Sequence, residues 1–482
     1  MSPSPILGFA SSSILHGYLL EYITESTSLN PYSTIQAVAM DGSGNTYVGG
    51  YFINSYNARN GFVAKFDKNG KIVWHRSLID GQPVANQSTQ VFAMAVTSNQ
   101  QLAVTGSFAS SSGPGTTYIF LHRYYSDGTL FFQRQIYGVA GTGNSSSGQG
   151  LALDSSDNIY ITGYAQRTPG GGAYCWTAKY NSSGVLQWQR FLTDTTGSPN
   201  TQGYSIAVND FYSAVYVSGQ YNATTTPTTG WVPFIAKYNT SGVLQWQRYL
   251  TGAVAQTTDA AFGVGVDYQG NAYVTGKYKI SPSAQGNNGF IAKYNASGTI
   301  QWQRVFYDSH ALASVNTQGR AVADNGFTGV VVTGFHNGSS NFLTGCVLGY
   351  DYSGNIQYMR TLTSDAAQQS NFVNSIAINY SAPNNSAMVI GTQLVLASGP
   401  QYFGAVLRVP NNGGRTNSVT GFSGSTLTYA NPGINNIISD SAGTLSEGAA
   451  AMTDSAGTAT DQVGGYLVDS AITTTFTGAI AV

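Results

Sequence analysis

Short segments in which apolar and polar positions alternate return along most of the chain. QAVAMD at 36–41 and YSIAVN at 204–209 are examples, each followed by a turn such as DGSGN at 41–45 or DYQGN at 267–271, and then by a β-branched run like TYVGGY. A variable connection leads to FIAKY (234–238, 290–294), a four-residue N-x-S-G turn and the run VLQWQR or TIQWQR. Alternation with period two, punctuated by Gly, Asn and Asp, predicts strands joined by tight hairpins. Asn supplies an Asx turn and Gly a left-handed residue, which a short hairpin loop needs. Nothing between 35 and 409 carries helical periodicity.

The pattern is periodic on a longer scale. A glycine closes a β-branched run at Gly50, Gly106, Gly163, Gly219, Gly276, Gly334 and Gly391, with gaps of 56, 57, 56, 57, 58 and 57 residues. Such a register over so many copies marks a repeat architecture. Seven four-stranded antiparallel units predict an all-β, seven-bladed β-propeller over 35–414. The seventh copy has three strands, near 375–379, 387–391 and 403–409, and then runs into PNNGGRTNSVTGF without a QWQR counterpart. The segment 1–34 offers a surplus strand, YLLEYIT at 18–24, so an N-terminal strand is expected to complete that blade and close the ring. Closure removes exposed sheet edges.

The hairpin NSSGVLQWQR (181–190) returns as NTSGVLQWQR (239–248) and NASGTIQWQR (295–304). With a four-residue loop, Tyr180 faces Val185 and Lys179 faces Leu186, leaving Trp188 diagonal to Lys179, whose stem then covers the indole. Trp74, Trp188, Trp246 and Trp302 share the aromatic position with Phe132 and Tyr358. Lys65, Arg123, Lys179, Lys237, Lys293 and Arg408 share the basic one, and Arg76, Arg134, Arg190, Arg248, Arg304 and Arg360 recur beyond it. Twelve of the 20 basic residues are thus spread around the rim. An aromatic beside a base could stack nucleotides, but the periodic placement favours blade packing.

Composition adds exclusions. Charged residues are 9% of the 482, the net charge is −1, and 58 glycines take up much of the remainder. No general electrostatic pull toward nucleic acid or an anionic membrane follows, and neither nucleic-acid binding nor membrane insertion is expected. No run approaches the length of a membrane helix, and the N-terminus, with no Lys or Arg before its short apolar segments, does not read as a secretory signal. Cys175 and Cys346 match no metal spacing and read as two buried thiols. His16, His75, His122, His310 and His336 form no ligand pair, and no nucleophile or phosphate-loop motif stands out. No catalytic residue, metal or cofactor is expected. Asp41, Asp154 and Asp267 sit in turns that offer too few oxygens for calcium, with Asp154 and Asp157 the one pair of interest. Asp80, Asp194, Asp308 and Asp365 follow fourth strands and read as solvated acids.

GNAYVTGKY…GFIAKYNASGTIQWQR resembles the bacterial and phage seven-bladed β-propeller repeat family, over roughly 18–409. In style, with its Gly/Ser/Thr richness and charge-poor tail, the chain is also similar to structural proteins of tailed phages that infect marine cyanobacteria.

Function should sit where the repeat fails. Turns within the first and last hairpins of each blade are short and constant, whereas the other connections differ in every copy and share one face of the ring, the usual place for recognition. That face carries the candidate binding aromatics Tyr56, Tyr118, Tyr174, Trp231, Tyr307, Phe342 and Tyr402, with Trp176 placed at a strand start. Neutral polar loops with aromatics suit sugar or protein surfaces. Within the tail 415–482, residues 416–482 lack Lys and Arg and carry a shorter repeat, SDSAGTLS (439–446), TDSAGTAT (453–460) and VDSAITTT (468–475). It is expected to be a β or extended assembly arm adding strands to a partner. The reading is a noncatalytic structural protein of a tailed-phage virion. Residues 416–482 contact other virion proteins or copies of itself, and the variable face contacts a neighbour, a host receptor or a surface glycan. A carbohydrate-active propeller enzyme with paired carboxylates at the channel and a free bacterial surface-binding propeller are the alternatives.

Overall fold

The computed structural model describes residues 7–11, 19–25, 32–53, 57–80, 88–109, 116–137, 145–166, 172–194, 201–223, 230–251, 259–279, 286–308, 316–326, 328–337, 343–364, 372–378, 387–395 and 402–410. It also describes seven short strands between 417 and 471. The predicted strands form, and they stack into antiparallel sheets. In the first blade, Ser33–Met40, Thr46–Ile53, Arg59–Phe66 and Ile72–Asp80 pair in chain order. The plan repeats over 89–137, 146–194, 201–251, 260–308 and 318–364.

The seven like blades read from the sequence are corrected to six: six repeats each build a four-stranded blade from their own consecutive strands. The last repeat lacks the QWQR strand and cannot do so. Its strands Phe372–Ile378, Ala387–Val395 and Tyr402–Pro410 join a composite sheet in which Leu19–Glu25 pairs with Tyr402–Pro410 and Leu7–Ser11 pairs with Leu19–Glu25. The inner strands touch one another in chain order, and Phe372–Ile378 touches both its predecessor and Ser33–Met40. N-terminal strands and the last repeat therefore share one sheet, between the sixth blade and the first.

Packing between blades explains the repeated decapeptide. Its register differs from the four-residue-loop expectation: Tyr180 faces Leu186 and Lys179 faces Trp188 directly, across a bulge. The cause is the turn itself, where Gly184 takes φ 78° and Asn181 Oδ1 accepts the amides of Ser183 and Val185, so the loop needs one more residue. Nor does the lysine cover the indole. Lys179 Nζ lies 4.9 Å from the Tyr160 ring centroid, and Lys65, Lys237 and Lys293 sit likewise over Tyr47, Tyr216 and Tyr273. Trp246 Nε1 and Lys237 Nζ donate instead to the same Ala296 carbonyl in the next blade's turn, at 3.0 and 2.8 Å. Trp302 and Lys293 do this to Tyr352, and Trp74 and Lys65 to Ser126.

The indole face packs on that turn's glycine: a Cβ on Gly298 would lie 2.6 Å from Trp246 Cδ2, and Gly128, Gly242 and Gly354 meet Trp74, Trp188 and Trp302 in the same way. Arg76, Arg134 and Arg190 complete the joint by donating to the carbonyls of Gly128, Gly184 and Gly242. Each decapeptide is thus a socket at its SG end and a plug at its QWQR end. These basic residues are architectural.

The tail adds strands, but to its own chain. Thr426–Ala430 pairs with the sixth blade's outer strand, and Ile438–Ala442, Ser446–Ala449, Met452–Ala456, Thr460–Val463 and Leu467–Ala471 pair with the fifth, fourth, third, second and first in turn. The register is constant from blade to blade. Asp440, Glu447, Asp454, Asp461 and Asp469 stand opposite Phe306, Leu250, Leu192, Ile136 and Leu78. The tail's shorter repeat therefore spans two blades, and its acids fall at half that spacing.

Candidate binding site at the central channel

The glycines that set the period have a structural cause. In each inner strand the ladder to the second strand slips once, skipping Gln36, Phe92, Gln149, Tyr204, Phe262, Arg320 and Asn374. Such a bulge brings backbone close to the partner strand and re-aims one side chain. A Cβ on Gly50, Gly106, Gly163, Gly219, Gly276 or Gly334 would overlap the carbonyl oxygen of Thr34, Gln90, Ser147, Gln202, Ala260 or Gln318. Only glycine fits behind the bulge.

The skipped residues are all half-buried, and together they line a cavity of about 220 Å³ at the axis. Their identities vary, whereas the glycine beside them recurs. Gln149 Nε2 donates to Ser147 Oγ at 2.7 Å, Asn374 Nδ2 to the Ile35 carbonyl at 3.0 Å, and the Tyr204 hydroxyl to Gln202 Oε1 at 2.6 Å. Tyr204 and Phe262 have ring centroids 5.4 Å apart. Arg320 is the one charged member. Its guanidinium carbon lies 4.7 Å from the Phe262 centroid and 5.3 Å from that of Phe335, an arrangement that favours a cation over two ring faces. Lys277 Nζ stands 5.9 Å from the same Phe262 centroid.

The electrostatics are lopsided. Burial pulls Arg320 down to about 10, only partly offset by the neighbouring Tyr204 phenol, so the guanidinium keeps its charge at neutral pH. Burial also lowers Lys277, with Arg320 repelling it and Asp259 opposing the shift. Asp259, buried beside them, is pushed up to about 7 by desolvation, against the Lys279 amide that donates to it at 2.8 Å and the charges of Lys277 and Lys279. No Asp or Glu lines the cavity among the described residues.

Among the expected aromatics, Tyr118, Tyr174, Trp231 and Tyr307 are half-buried residues within strands. Tyr118 packs on Phe108 and Tyr137, and Tyr174 on Phe191. Tyr402 begins a strand, its side chain outside the described set; Tyr56 and Phe342 lie outside the described residues altogether. Trp176 is fully buried, its indole donating to Gln189 at 2.9 Å. Asp41, Asp154 and Asp267 serve their turns and the following tyrosines Tyr47, Tyr160 and Tyr273. Asp157 pairs with Arg123 of the preceding blade at 3.3 Å. No cluster of three metal-ligating side chains occurs among the described residues. Cys175 and Cys346 are buried thiols in different sheets. Asp80, Asp194, Asp308 and Asp365, with His16 and His310, have side chains outside the described set.

Sequence reasoning passed over the bulged residues. Their signal is faint: one varying column beside an invariant glycine, on an otherwise constant strand. No curated protein matches the chain. A model described as a β-propeller repeat matches residues 134–169, from the outer strand of the second blade through the first hairpin of the third, and with the six four-stranded blades around the channel it marks the chain as a β-propeller repeat protein.

Proposed function

We propose that this protein is a noncatalytic recognition propeller that takes a small ligand at the channel end nearest its variable connections. The observation that carries the reading is the bulge ring, where the repeat stops repeating and the varied side chains share one cavity. A rigid frame with variable residues at one depth suits binding, and bulges often re-aim side chains at functional sites. Each bulge falls early in its inner strand, toward the end where that strand enters from the preceding blade. This is the face on which the variable connections open.

The test is ligand-observed NMR with monosaccharides, amino acids and organic acids. Some members should bind the wild type and be recovered unchanged, and Gln149→Trp, which fills the cavity, should abolish binding. Absence of any binder, equal binding by the variant, or conversion of the bound compound overturns the proposal. Assembly into a tailed-phage particle, with the tail strands exchanged between copies, is proposed on the resemblance in style. Particles purified from the source of this sequence that lack the chain by mass spectrometry would exclude it.

A further inference from the structure

Arg320 stands apart from the other buried cations of this protein. Arg123, which exposes less surface, has Asp157 at 3.3 Å and donates to the Ser182 carbonyl at 2.8 Å. Lys65, Lys237 and Lys293 each reach a carbonyl of the next blade. For the Arg320 side chain no hydrogen bond or ion pair is made with the described residues, and its Nε is buried without a partner. The guanidinium carbon lies over the rings of Phe262 and Phe335, and Arg320 lines the cavity.

Lys277 adds a second positive charge over the same phenyl ring. Asp259 acts on Lys277 and is itself driven toward the neutral form by burial, while burial raises Tyr204 and keeps its phenol uncharged. A half-buried guanidinium cannot escape by losing its proton, and without a counter-charge it is held at a cost. The fold retains it beside a space with room for about seven waters.

We propose that Arg320, supported by Lys277, binds a carboxylate in the central channel, with the flat body of the ligand against Phe262 and Tyr204. The planar fork of Arg matches a carboxylate by two parallel hydrogen bonds. The space suits a monocarboxylate of about ten heavy atoms, either free or as an acidic sugar residue at a chain end. The inference rests on the binding reading above and names its ligand class.

Calorimetric titration of the full chain with benzoate, glucuronate and a glucuronate-ended disaccharide tests it, with glucose and inorganic sulfate as controls. At least one carboxylate should bind and raise the melting temperature, and Arg320→Gln should weaken it by tenfold or more. Lys277→Met should weaken it by a smaller factor, in a manner that added salt reduces in the wild type. Glucuronate bound best as the disaccharide points to a glycan source, and benzoate bound best to a free acid. Arg320→Gln removes a half-buried charge whose Nε has no partner, so without ligand its melting temperature should equal or exceed the wild type. Glucose binding as tightly as the acids, sulfate binding alone, or unchanged carboxylate affinity in Arg320→Gln would refute the carboxylate assignment while leaving a binding propeller intact. Binding of none of the probes, together with no ligand from the wider NMR panel, removes both.

Discussion

The outer hairpin and the inner bulge lie in the same blades, yet they treat the repeat in opposite ways. At the outer hairpin the tryptophan of one blade is matched to a glycine in the next blade's turn: the indole of Trp246 needs Gly298, and the indole of Trp302 needs Gly354. A change in one copy breaks a joint shared by two blades. At the bulge the side chain lines the channel and its contacts along the ring differ from copy to copy, as in Tyr204 with Phe262, Arg320 with Phe262 and Asn374 with the Ile35 carbonyl, so Gln36, Phe92 and Arg320 can occupy equivalent positions. Repetition is enforced where blades lock together and relaxed where they only surround a space.

Substitutions can break that contrast. The largest effect is expected behind the bulge, at Gly276→Ala, where the new methyl overlaps the Ala260 carbonyl oxygen. Backbone cannot yield as a side-chain tip does, and a loss of about 4 kcal/mol or more is expected in urea unfolding. Gly298→Ala comes next. It combines φ 79° with a Cβ 2.6 Å from Trp246 and should cost about 3 kcal/mol. Trp246→Phe keeps a ring but loses the donor to Ala296, and about 1 to 2 kcal/mol is expected because that carbonyl retains Lys237.

Asp259 sharpens the comparison through pH. Its folded pKa of about 7 lies above the ordinary carboxyl value, so the native state holds a proton that the unfolded chain releases between about pH 4 and 7. This contribution is present at pH 4 and is lost as pH rises through 7. Asp259→Asn should therefore match the wild type near pH 4 and exceed it at pH 8 by about 2 to 4 kcal/mol, read from denaturant midpoints across pH. The smallest effect is expected at the bulge itself. Gln149→Ser gives up a hydrogen bond to Ser147 and should change stability by less than about 1 kcal/mol. A larger loss there would mean that the ring of varied residues is structural after all.

Much of the fold was legible in the sequence because each cause is local. Alternation, N-x-S-G turns and the recurrent glycines identified the strands and their order, and the missing QWQR pointed to the join between an N-terminal strand and the last repeat, now seen as Leu19–Glu25 beside Tyr402–Pro410. The direct pairing of Lys179 with Trp188 was missed because one bulged residue shifts every partner beyond it. The aromatics sought in loops were half-buried strand residues in four cases, since a β-strand end and a loop start have similar composition. The channel residues were overlooked for a related reason: Gln36, Phe92 and Arg320 share no chemistry that a motif could display.

The sequence by itself determined the repeat, the four-stranded plan and the residues that cannot vary, because hydrogen-bonded hairpins and close glycine contacts depend on neighbours along the chain. Only the tertiary structure decided that six repeats build blades alone, that the tail returns along the chain's own outer strands, and that Arg320 meets Phe262 and Phe335 without an acid. Arg320 and Phe262 belong to different blades and come together only when the ring brings their inner strands side by side.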